Sequence, residues 1–136
     1  IQRMMALFPN SFSGTASPED SNKIYNQSRV ALNMSAGLDI NMRMFEGEAT
    51  SALLITNTIG SGEDELLPYL PRYDGAAECE AMVRFFLAHP KIAAELSRAQ
   101  AEDMKAHTYE VRARAFLEEI GWGALVASPK LSSRIL

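Results

Sequence analysis

The chain alternates between short apolar runs and polar, Gly/Pro-punctuated stretches, and this pattern predicts its elements. Residues 3–8 (RMMALF) form an apolar run that stops at Pro9-Asn10, which reads as a strand ending in a turn. Residues 10–16 are small and polar and read as a loop. Ser17-Pro18-Glu19-Asp20 is a strong helix start: a serine cap, proline at the first helical position and acids in the first turn. This helix presents Ile24, Tyr25 and Ser28 on one side and ends near Arg29. Residues 30–34 (VALNM) read as a second short strand, so the opening third forms a strand–helix–strand unit with parallel strands.

Residues 35–40 turn the chain into a short helix, and residues 52–56 (ALLIT) are apolar without alternation, as a strand buried on both faces should be. Residues 57–71, with Gly60, Gly62, Pro68, Pro71 and the acidic Glu63-Asp64-Glu65, read as a surface loop with a helical turn around Leu66-Leu67. The last third is helical. Asp74-Gly75 opens a helix with Cys79, Met82, Val83, Phe86 and Leu87 on one stripe and Glu78, Glu80 and Arg84 opposite. His89-Pro90 ends it and starts another, to about Lys105, with a weaker stripe at Ile92, Leu96 and Ala99. Thr108 can cap a third, with Tyr109, Ala113, Phe116, Leu117 and Ile120 as its apolar side. Arg114 and Glu118 there are spaced for a helical pair, and Gly121 is the stop.

These elements sum to an α/β fold: a Rossmann-like parallel sheet of at least three strands flanked by helices, with a helical C-terminal third. Residues 1–121 are expected to form the domain and residues 122–136 a tail. In such sheets ligands bind at the carboxyl ends of the strands, where residues 9–14, 35–42 and 57 onward are expected to gather.

The stretch 41–56 (NMRMFEGEATSALLIT) carries the candidate chemistry. A polar loop at Asn41-Met42 feeds a helical turn bearing Arg43 and Glu46, an arrangement suited to a diphosphate with a hydroxyl-bearing group beside it. Two plainer readings compete. Arg43 and Glu46, three apart, could form a surface ion pair, and Asn41 could simply cap the helix.

Composition narrows the classes. A chain of 136 residues can bury a core without staples, and a net charge of −4 argues against a nucleic-acid domain working by phosphate neutralisation. The single cysteine, Cys79, allows no internal disulfide and suits a reducing, cytoplasmic setting; on its apolar stripe it reads as an inert core thiol. No apolar run approaches a membrane span. His89 and His107 read as helix-boundary residues without partners at metal-ligand spacing, so no metal site and no cofactor are expected. Neither a Gly-x-Gly-x-x-Gly loop nor a Gly-x-Ser-x-Gly elbow is present. The chain opens at Ile1 in mid-pattern, from which a longer parent polypeptide is expected.

The order VALN, NMRMFE, EATSALLIT, RYDGAAECEAMVRFFLAHP and HTYEVRARAFL, spanning about Tyr25 to Leu117, resembles the C-terminal nucleotide-binding half of group 1 (GT-B) glycosyltransferases. The closest likeness is to the branch with an "LN…N-x-R-x-F-E-x-x-A-x-G-x-L-L-x-T" signature and a late "H-T-Y-x-x-R". The resemblance implies half of a GT-B fold that binds a nucleoside-diphosphate sugar. Glu46 would hold the donor ribose, and Asn41, Met42 and Arg43 the diphosphate. No residue is assigned a catalytic role. The partner it implies is an N-terminal acceptor-binding domain missing from this chain, so the isolated chain is not expected to complete a transfer. Departures are Leu38, where relatives often carry a second glutamate, Ser51 in place of a glycine, and residues 62–69, which lack the usual Pro-Gly turn. The alternative is a degenerate, non-catalytic Rossmann-like interaction module.

Overall fold

The computed structural model describes residues 2–37, 39–60 and 62–123. They fold as α1 (Gln2–Leu7), α2 (Pro18–Gln27), β1 (Val30–Asn33), α3 (Met42–Glu48), β2 (Leu53–Asn57), α4 (Glu63–Leu66), β3 (Arg72–Tyr73), α5 (Ala76–Ala88), α6 (Pro90–Asp103), a 3-10 turn (Met104–His107) and α7 (Tyr109–Glu119). The fold is α/β and Rossmann-like, with a small parallel sheet flanked by helices. Packing divides the chain into two compact units, Ile1–Glu102 and Asp103–Leu136. Most of the expected tail, from residue 124 on, lies outside the described residues.

In the first unit the strand order is β1-β2-β3, all parallel. Central β2 is enclosed on both faces, with Leu53, Leu54, Ile55 and Thr56 each 0% exposed. On one face Leu53, Ile55 and Tyr73 form a core with Cys79, Val83 and Phe86 of α5 and Ala93 of α6, as the stripe on α5 predicts. Met4 and Phe8 pack against this core as well. On the other face α3 comes so close that a Cβ on Gly47 would stand 2.7 Å from Leu54 Cδ1. Only glycine lets α3 sit directly on β2.

Several expectations are corrected. Residues 3–7 lie in helix α1, not in a strand, and Phe8 follows it: Met, Ala and Leu are strong helix formers, and the run has no β-branched residue to favour a strand. The three parallel strands are therefore completed by Arg72–Tyr73, a two-residue strand after Pro71 that is too short to show a pattern. It is held by Thr56 N–H to Pro71 O at 3.0 Å and Thr58 N–H to Tyr73 O at 3.0 Å.

On α6 the buried face is Ala93, Ser97 and Gln100, while Ile92 is exposed, which displaces the expected stripe. The reason lies in the sheet. β3 is too short to pair with the first half of β2, and Gln100 takes its place. Its Oε1 accepts from Leu54 N–H at 3.1 Å, and its Nε2 donates to Leu54 O at 2.9 Å and Tyr69 O at 3.2 Å. Ser97 Oγ donates to Ser51 O and Ala52 O. Buried backbone polar groups require partners, and here helix side chains supply them.

The second unit contains α7. Thr108 caps it, Oγ1 accepting from Val111 N–H at 3.3 Å. Gly121, at φ +79°, ends it with Trp122 N–H to Leu117 O and Gly121 N–H to Glu118 O, a Schellman closure. No α7 residue is buried, and Tyr109 and Phe116 of its apolar stripe are exposed. Periodicity states which residues share a face, not that the face is covered. Arg114 pairs back to Glu110 at 3.2 Å, the favoured order with the acid N-terminal to the base, rather than forward to Glu118.

Candidate functional site

The carboxyl ends of the three strands form a polar crest. β1 ends in Asn33, whose Nδ2 donates to Thr56 Oγ1 at 3.0 Å; both residues are buried. The parallel register puts Asn33, Thr56 and Arg72 in one row on one face of the sheet. From the other face, Tyr73 donates its phenol proton to Asn33 O at 3.1 Å. Burial, aided by the neighbouring Cys79, pushes the Tyr73 phenol up to about 12, so it stays a neutral donor. Burial likewise raises the Cys79 thiol, which keeps it out of the reactive thiolate form.

Beyond Asn33 the chain leaves the sheet, and Asn57, the last residue of β2, holds it. Asn57 Oδ1 accepts from Ser35 N–H at 2.7 Å, and its Nδ2 donates to Ser35 O at 3.2 Å. Ser35 in turn organises the loop: its Oγ donates to Asp39 Oδ1 at 2.8 Å and accepts from Asp39 N–H at 3.2 Å. Two residues later the chain enters α3.

Asn41 occupies the N-cap position of α3, with φ −113° and ψ 162°, but its side chain makes no cap hydrogen bond. Its Oδ1 is buried and, among the described residues, has no hydrogen-bond partner. The plain capping reading therefore fails: the backbone has cap geometry and the amide is not used for it.

On α3, Met44, Gly47 and Glu48 turn inward, and Met42, Arg43 and Glu46 lie on the exposed side. Among the described residues neither Arg43 nor Glu46 forms an ion pair, so the surface-pair reading fails too. Glu46 and Glu48, two apart on a helix, point to opposite sides; Glu48 is fully buried. The four predicted residues thus share one short segment, Asn41 at the cap position and the other three on the exposed side of the first turns. Residues 9–14, expected at the crest, are not there as a strand-end loop, because they follow helix α1. Leu38 lies outside the described residues.

Sequence reasoning missed Asn57 and Ser35. An asparagine and a serine in loop-like surroundings look ordinary, and the only signal was their place just past an apolar run. It also assigned nothing to Arg72, whose Nη2 donates to Leu67 O at 3.1 Å and which stands beside Thr56 in the register. Ser51, where the resembled family has glycine, is tied to the end of α2: its N–H donates to Asn26 Oδ1 at 3.1 Å and its Oγ to Asn26 O at 3.1 Å.

Among the described residues no three His, Cys, Asp or Glu side chains gather to hold a metal, and no helix is long and apolar enough to cross a membrane. His107 Nε2 lies 3.7 Å from Asp103 Oδ2, a local contact one turn apart.

Comparison with known proteins adds one finding. No curated protein and no solved structure matches the chain. A family model described as glycosyl transferase-like matches residues 6–118, from within α1 to the end region of α7. That match covers most of the chain, including every strand and the whole 41–46 segment, and the chain belongs to this glycosyl transferase-like family.

Proposed function

We propose that this chain is the donor-binding half of a GT-B glycosyltransferase and that its crest binds a nucleoside-diphosphate sugar. Arg43 meets the diphosphate together with the Asn41-Met42 turn, and Glu46 accepts hydrogen bonds from the ribose hydroxyls. The chemistry suits both groups. A guanidinium offers a planar fork of donors to phosphate oxygens, and a carboxylate accepts two hydrogen bonds from a diol. As the sugar departs, negative charge builds on the diphosphate, and a positioned cation lowers the energy of that state.

The observation that carries this reading is the Arg43–Glu46 arrangement. Two opposite charges three apart on one helical face, about 5–6 Å between Cβ atoms, are within reach of each other. Here both are exposed and unpaired among the described residues, beside an asparagine that does not cap. A ligand with an anionic and a hydroxyl-bearing part would satisfy them in order. Acceptor binding falls to an N-terminal domain in this scheme.

Titration calorimetry on the folded chain with UDP, GDP and their sugars tests it. Heat with one nucleotide series that vanishes in Arg43→Ala and Glu46→Ala is the expected result. Silence towards every nucleotide overturns it, in favour of the interaction-module reading. Leu38 and the exposed Leu32 and Met34 at the end of β1 speak for that alternative.

A further inference from the structure

We infer that Asn57 is a positioning residue for the nucleotide site: it presets the loop that carries Asn41 to Arg43 without touching the ligand. This rests on the donor-site reading above. The geometry is a chain of four contacts. Asn57 grips both backbone polar groups of Ser35, at 2.7 and 3.2 Å. Ser35 Oγ then closes on Asp39 through Oδ1 at 2.8 Å and N–H at 3.2 Å. Asp39 is two residues from the cap position, so the entry to α3 is hung on the end of β2.

The amide is specific to the task. One side chain must accept from an N–H and donate to a C=O of the same residue, which the carboxamide does from two separate atoms and an ionised carboxylate, an acceptor only, does not. Ser35 is buried and Asp39 exposed, so the link runs from the sheet out to solvent. Without it the loop that leads into Asn41 and Arg43 samples more conformations. A site competent only part of the time binds in proportion to that fraction.

The experiment compares wild type, Asn57→Ala, Asn57→Asp, Ser35→Ala and Glu46→Ala, using whichever of UDP or GDP the wild type binds. Asn57→Ala is expected to weaken binding about tenfold, the size set by losing two ordinary hydrogen bonds in the ordering of a loop. Asn57→Asp, which keeps the acceptor and loses the donor, should fall between. Hydrogen exchange at residues 35–41 should speed up in Asn57→Ala, stay unchanged in β2 and α5, and slow again when the nucleotide is saturating. A purely structural role would speed exchange in β2 and α5 as well. Wild-type binding in Asn57→Ala, with binding lost in Glu46→Ala, overturns the role of Asn57 and leaves the donor site standing. Should Asn57→Ala fail to fold, Asn57→Asp and Ser35→Ala decide: wild-type affinity in both overturns it. Silence of the wild type towards both nucleotides overturns the site and this inference together.

Discussion

Two side-chain amides in this molecule make the same pair of bonds in two different places. Gln100 grips the N–H and C=O of Leu54 at 3.1 and 2.9 Å, deep under α6. Asn57 grips the N–H and C=O of Ser35 at 2.7 and 3.2 Å, at the crest. Gln100 is 0% exposed, whereas Asn57 is only part-buried. The first completes a sheet that lacks a strand; the second fixes a loop. The same hydrogen bonds should therefore support stability in one place and ligand readiness in the other. The reason is that an unsatisfied backbone group is costly only where water cannot replace the partner.

The largest effect should come from breaking the deep clamp. Gln100→Leu keeps most of the volume and removes all three hydrogen bonds, leaving buried Leu54 N–H and C=O without partners. A loss of about 2–6 kcal/mol in unfolding free energy is expected, at about 1–3 kcal/mol for each of the two orphaned groups. Chemical denaturation of the folded chain measures it. A loss below about 0.5 kcal/mol, the level of an ordinary surface change, would show that water reaches Leu54 and that the two clamps are not different in kind.

Next comes the seat of α3. In Gly47→Ala the new methyl carbon would meet Leu54 Cδ1 at 2.7 Å, and Leu54 is itself enclosed. Overpacking of this sort costs about 1–3 kcal/mol. Because α3 carries Arg43 and Glu46, this variant should lose both stability and nucleotide affinity, joining the two regions that the clamps keep apart. Retained affinity at reduced stability would mean that Leu54 yields and α3 does not move.

A third, smaller effect lies at high pH. Tyr73 bridges the regions, its ring in the core and its hydroxyl on Asn33 O. Its folded-state pKa of about 12 lies above the ordinary 10.0, so the folded state holds the proton more tightly than the unfolded one. Stability contributed by this group is complete below the ordinary value and is lost as pH rises towards the raised one. Denaturant midpoints measured across that range should fall in the wild type and fall less steeply in Tyr73→Phe. Parallel slopes would mean that the phenol ionises freely.

Much of this organisation was legible in the amino-acid pattern. The capped start of α2, the burial of β2 on both faces, the stripe on α5 and the glycine stop of α7 each follow from a local rule acting alone. What was not legible depended on distant partners. Residues 3–8 read as a strand because an apolar run has no period of its own; helix propensity and the packing of Met4 and Phe8 against the core decide otherwise. The strand at Arg72-Tyr73 exists because Thr56 and Thr58 reach it. Gln100 and Ser97 sit at buried positions that a hydrophobicity pattern assigns to their apolar neighbours, since a polar residue belongs there only if a broken ladder faces it. Asn41, Arg43 and Glu46 stood out as candidates from their types and spacing, whereas Asn57 bonds a residue 22 positions away.

The smallest effect on folding, and the sharpest contrast, is expected for Arg43→Ala and Glu46→Ala. Both side chains are exposed, and among the described residues neither makes an ion pair, so their removal breaks no contact that holds the fold. Unfolding free energies within about 0.5 kcal/mol of wild type are expected. If the pair helped the helix as an ordinary i, i+3 couple, each variant would lose about 0.2–0.5 kcal/mol, and the double variant no more than either alone. An additive double variant would instead show two independent charges, as the structure has them. The loss of nucleotide binding in the same two variants, at unchanged stability, is what separates a site from a decorated surface.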